Sequence, residues 1–136
     1  MRRSRILIAA DHIQLAELCQ TFQYDEFEVV GIVSDGCDLI YAALELNADV
    51  VVVDISTPAL NGFNAAREVK KRLPTVKVIF LHMRDDAEIV AEAFRRGASG
   101  YLLKTCAASE VVTAIRSVLQ GDTYLSPTLS KAGCGG

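Results

Sequence analysis

Four consecutive valines, Val50 to Val53, run directly into Asp54, and Pro58 and Asn61-Gly62 follow shortly after. A β-branched run with no polar interruption has no face to offer to water, so it reads as a strand buried on both sides. Pro58 and Asn61-Gly62 turn the chain before the next helical pattern. Open α/β sheets place their ligand sites outside the C-terminal ends of the strands. Asp54 is therefore the residue around which function is sought.

The rest of the chain alternates in the same manner. Strands are predicted over Arg5–Ala10, Phe27–Val33, Val76–Leu81 and Tyr101–Leu103 in addition to the valine run. Between them, apolar residues recur at helical spacing: Leu15, Leu18, Cys19 and Phe22; Leu39, Ala42, Ala43 and Leu46; Phe63, Ala66, Val69 and Leu73; Ile89, Val90, Ala93 and Phe94; Val111, Val112, Ile115, Val118 and Leu119. Ser34-Asp35-Gly36 offers N-cap chemistry, Pro74 ends the third helix, and Gly97 suits a C-cap. Asp85-Asp86 suit the start of the fourth helix. Five β-α units in strict alternation predict an α/β fold, a doubly wound five-stranded parallel sheet with helices on both faces. The domain is expected over residues 1–121, with 122–136 as a C-terminal linker or tail.

Composition narrows the function classes. The chain has 136 residues, enough for one domain with a sizeable core, and is 51% hydrophobic and 23% charged. Its net charge of −3 and pI near 5.3 lack the electrostatic footprint of a dedicated nucleic-acid binder. Lys70-Lys71-Arg72 reads as a solvated helix face. No apolar run is long enough to span a bilayer, and Asp11 interrupts the apolar stretch after Met1–Arg5 too early for a signal peptide. Cys19, Cys37, Cys106 and Cys134 form no CxxC pair or metal-ligand spacing, which suits reduced thiols and a cytoplasmic location.

Three charged residues share the C-terminal strand edge: Asp11 after the first strand, Asp54 after the third and Lys104 after the fifth. Two carboxylates and a backbone carbonyl suit Mg²⁺, which keeps several waters and favours sites completed by phosphate. Lys104 can hold an anionic oxygen opposite, and Asp54 can attack phosphorus to form an acyl phosphate. Rival readings lack their residues. A haloacid-dehalogenase-type phosphatase needs Asp where Ser56 stands, and a dinucleotide enzyme needs glycines where Ala9-Ala10-Asp11-His12-Ile13 stands. An FMN-binding flavodoxin-like carrier would want a hydroxyl-rich loop at that same turn. A binding switch, rather than an enzyme, fits best.

Asp54-Ile55-Ser56-Thr57-Pro58-Ala59-Leu60-Asn61-Gly62 resembles the phosphoacceptor loop of a two-component response-regulator receiver domain. Gly97–Lys104 resembles the segment around that family's active-site lysine, and Asp11-His12 with Met83–Asp86 resembles its NarL/FixJ-type subgroup. The resemblance implies the flavodoxin-like receiver fold with strand order 2-1-3-4-5. It implies that Asp54 accepts a phosphoryl group from a sensor histidine kinase. Asp11, Asp54 and the Ser56 carbonyl would bind Mg²⁺, Lys104 would contact the phosphoryl group, and Tyr101 would be the switch aromatic. It further implies a homodimer or effector contact serving transcription regulation. DNA contact would come only through a LuxR-type helix-turn-helix absent from these 136 residues.

Two positions depart from that pattern. Ala10 stands where receivers carry the first of two adjacent acids, and His82 stands where they carry Thr or Ser. Ala10 is expected to weaken Mg²⁺ without abolishing its site. His82 can donate a hydrogen bond but is larger than a hydroxyl residue, and it is expected within direct or water-bridged reach of Asp54. An atypical receiver that signals without phosphorylation is the alternative reading.

Overall fold

The computed structural model describes residues 3–11, 18, 22, 24–56, 61–83 and 86–126. Leu15, Cys19, Pro58, Asp85 and Cys134 lie outside the described residues, and Leu18 is helical and fully buried. The elements run β1 (Ser4–Ala9), β2 (Phe27–Val33), α1 (Gly36–Leu46), β3 (Val50–Asp54), α2 (Gly62–Arg72), β4 (Lys77–His82), α3 (Ala87–Arg95), β5 (Gly100–Leu103), α4 (Ala107–Leu119) and β6 (Tyr124–Leu125). All pair in parallel, in the order β2-β1-β3-β4-β5-β6.

The expected α/β class, parallel sheet and order of the first five strands are those observed. The sheet is nevertheless six-stranded rather than five-stranded. β6 comes from the stretch expected as linker, where Tyr124 pairs with Gly100 and Leu125 with Tyr101. Two residues carry no readable alternation, so this strand has no signature in sequence.

Strand alternation builds two cores. Val51 and Val53 join Leu39, Ala66, Val69, Phe80 and Tyr101 on one face; Val50 and Val52 join Leu18, Leu81, Leu102, Val111 and Ile115 on the other. All four valines are fully buried, each contributing about 1.5–3 kcal/mol relative to exposure.

The helix ends follow local chemistry. The Asp35 carboxylate accepts from the Asp38 N–H at 2.7 Å, and the Asn61 side chain accepts from the Asn64 N–H at 3.0 Å. α2 stops before Pro74, and Gly97 follows α3 with φ of +95°. Asp86 occupies the N-cap position of α3 without a side-chain capping hydrogen bond, contrary to expectation.

Candidate functional site

Asp54 is the last residue of β3 and is only 4% exposed. The backbone around it is closely tied. The Ile55 N–H donates to the Leu81 carbonyl at 3.0 Å, and the Gly62 N–H donates to the Ile55 carbonyl at 2.9 Å. Gly62 is required there: a Cβ would lie 2.7 Å from the Asp54 carbonyl oxygen and 2.8 Å from Ile55 Cα. Close backbone approach at Gly62 thus holds the end of β3 as much as side chains do.

Both oxygens of the Asp54 carboxylate have donors. Oδ1 accepts from the Ser56 N–H at 2.9 Å and from the Ser56 hydroxyl at 2.8 Å. Oδ2 lies 2.5 Å from the Lys104 ammonium. Lys104 also lies 3.5 Å from Asp11 Oδ2. Its side chain is 14% exposed, whereas that of Asp11 is 58% exposed. One buried carboxylate, one surface carboxylate and one ammonium between them therefore form the site.

Burial pulls the Lys104 ammonium down. The hydrogen bond and charge of Asp54, helped by Asp11, outweigh it and hold the group above its ordinary value. Lys104 is positioned by its backbone, whose N–H donates to the His82 carbonyl at 2.8 Å.

Asp11, Asp54, Ser56 and Lys104 are thus assembled as expected at the strand ends. Ser56, expected to act only through its carbonyl, also meets Asp54 through its hydroxyl. An Asp-x-Ser spacing was the available signal, since short hydroxyl side chains bond groups two residues away.

His82 sits on the neighbouring strand, half-buried, one residue beyond Leu81, the partner of Asp54 in register. Alternation places it on the face of Phe80 and Tyr101 rather than that of Leu81. Tyr101 is fully buried on that face, with Phe80 and Leu125 as its register partners. Ala10 is 3% exposed, beside the site at the end of β1.

Among the described residues no cluster of three His, Cys, Asp or Glu side chains could hold a metal ion. The available donor set is smaller and oxygen-only: Asp11, Asp54 and the Ser56 carbonyl. That set suits a hard cation which retains water. No helix among the described residues is long and apolar enough to cross a membrane. Cys37 and Cys106 are free thiols.

Residues 6–116 match the family model of the response regulator receiver domain. The chain belongs to that family. Its relatives include DegU- and NreC-type regulators. It is 39% identical over 105 residues to the transcriptional regulatory protein DegU of Brevibacillus brevis, covering 77% of this chain and 44% of that one. It is 32% identical over 130 residues to the oxygen regulatory protein NreC of Staphylococcus carnosus, covering 93% and 59%. The receiver chain thus spans about half the length of these curated relatives.

Solved structures agree. A LuxR-family two-component response regulator from Aurantimonas sp. SI85-9A1 superposes with a TM-score of 0.87 at 25% identity, covering 95% of this chain and 94% of that one. The isolated receiver domain of RcsB from Salmonella enterica serovar Typhimurium, solved with phosphomimetic BeF₃⁻, gives 0.86 at 25% identity, covering 95% and 97%.

Proposed function

We propose that this receiver accepts a phosphoryl group on Asp54 from the phosphohistidine of a sensor kinase and thereby switches a dimer or effector surface serving transcription. The observation that carries the reading is the Lys104 ammonium 2.5 Å from a carboxylate buried at a strand end. Oδ2, the oxygen not engaged by Ser56, attacks phosphorus. The P–N bond breaks and its electron pair returns to the departing imidazole. Ser56 fixes the carboxylate through Oδ1, and the ammonium follows the transferred group's oxygen. Mg²⁺ held by Asp11, Asp54 and the Ser56 carbonyl would supply charge neutralisation for the phosphoryl oxygens. His82, one residue beyond the register partner of Asp54, would meet that group directly or through water, and Tyr101 would relay the change through its core. The domain accepts and stores the group rather than turning over a substrate, in the cytoplasm.

The RcsB receiver, solved in the presence of a phosphomimetic, supports this reading by likeness of fold. Incubation with acetyl phosphate and Mg²⁺, read by intact mass, tests it. One phosphoryl adduct that disappears in Asp54→Asn is expected. No adduct under conditions that label a typical receiver refutes phosphoryl acceptance and leaves signalling by protein contact alone.

A further inference from the structure

Tyrosine aside, two polar or charged side chains are buried among the described residues, Asp54 and Ser126. They lie at opposite ends of one chain of bonds. Asp54 holds the Lys104 ammonium, and the Ser126 hydroxyl accepts from the N–H of the adjacent Leu103 at 3.2 Å. Ser126 also donates its own N–H to the Tyr101 carbonyl at 3.1 Å. β6 is further tied by the Tyr124 N–H to the Ser99 carbonyl at 2.9 Å and by the Tyr124 hydroxyl to Glu110 at 3.0 Å.

We propose that β6 with Ser126 is a latch whose docking on β5 is coupled to the Asp54–Lys104 ion pair, so that the state of Asp54 reaches the chain beyond residue 126. Three observations carry this. β6 is only two residues long and holds the sheet edge through few bonds, which places it among the segments that open first. Its anchor is a fully buried hydroxyl, a contact that is either made or lost. That anchor grips the residue next to the lysine that must move when Asp54 changes its partner. The ion pair and the docked latch therefore favour one another, and a ligand that draws Lys104 from Asp54 favours release.

The latch rests on the proposed phosphoacceptor role for its signal, but the coupling itself needs no phosphate. Amide hydrogen exchange of the 136-residue chain tests it directly. Asp54→Asn, which alters nothing on β5 or β6, is expected to speed exchange at Leu103, Tyr124 and Ser126, the amides that join β5 and β6, about 5-fold or more, with β2 amides unchanged. Lys104→Met gives the same readout should the first variant fail to fold. Unchanged exchange at those amides, or equal acceleration in β2, overturns the latch.

By reciprocity Ser126→Ala is expected to tighten binding of beryllofluoride with Mg²⁺ about 5-fold, and unchanged affinity also overturns it. If wild type binds no beryllofluoride while Asp54→Asn still releases β6, the latch stands and the phosphoacceptor reading fails.

Discussion

Ala10 is the position at which one charge would decide how the proposed site holds a divalent cation. β1 and β3 are in register at Ala9 and Val53, so Ala10 stands beside Asp54 across one strand spacing of about 4.8 Å. Ala10→Asp brings a second carboxylate to roughly 5–6 Å from the first, a repulsion of about 3 kcal/mol at an effective dielectric near 20. Lys104 and entering water offset part of it, leaving the metal-free variant about 1–2 kcal/mol less stable than wild type. Mg²⁺ reverses the sign. Its attraction to the added charge is about 5–6 kcal/mol gross at a similar distance, and hydration returns most of that. A net gain of about 1.4 kcal/mol is a tenfold tighter site. Urea unfolding with chelator and with increasing Mg²⁺ reads both effects, since stabilisation grows as RT ln(1 + [Mg²⁺]/Kd). The expected result is a lower midpoint than wild type in chelator and a larger Mg²⁺-induced rise. A variant whose Mg²⁺-induced rise is no greater than that of wild type refutes the placement of the cation between Asp11 and Asp54.

Gly62→Ala forces a Cβ against the Asp54 carbonyl and Ile55 Cα, both backbone, so about 1–3 kcal/mol of stability is lost in urea unfolding; an unchanged midpoint would show the loop yields freely. Lys104 is held above its ordinary value near 10.5, so the stability contributed by its ion pair is fully present below that value and is lost as pH rises through the higher folded value. In chelator, the stability gap between wild type and Lys104→Met is therefore expected to be flat from neutral pH to about 10 and to shrink above it; a gap closing below pH 9 contradicts this. Burial, reinforced by its hydrogen bond to Glu110, pushes the Tyr124 hydroxyl up to about 12. Absorbance titration is expected to show a late tyrosine that vanishes in Tyr124→Phe and titrates earlier in Glu110→Gln.

The fold was legible wherever burial on two faces imposed an uninterrupted apolar run. The valine run is the clearest case, and Asp54 itself extends it as a strand residue. Asp35 as a cap was readable because its chemistry is local. The charged triad Asp11, Asp54 and Lys104 was readable from strand ends alone, because parallel strands in this order deliver their C-termini to one edge. What stayed hidden depends on tertiary context. β6 is made only by pairing with β5, and Ser126 is a loop-type residue until that pairing buries it. Asp86 has a capping residue's identity and position, yet its side chain makes no cap, a matter of loop geometry that composition does not encode.

The departure at Ala10 has a further consequence for the resting site. Lys104 is shared between Asp54 at 2.5 Å and Asp11 at 3.5 Å, so the three groups carry one net negative charge. A second acid at position 10 would double that charge and leave it repelling itself until a cation arrived. With Ala10, the ion pair already satisfies Asp54 before any cation binds. A resting state stabilised in this way has less to gain from Mg²⁺, but it gives Lys104 a definite place to leave. On the proposed phosphoacceptor reading the ammonium must exchange partners when a phosphoryl group reaches Asp54, and Leu103 beside it is held by Ser126. On that reading, Ala10 shifts the weight of switching from the cation to the lysine, and from the lysine to the strand it stands on.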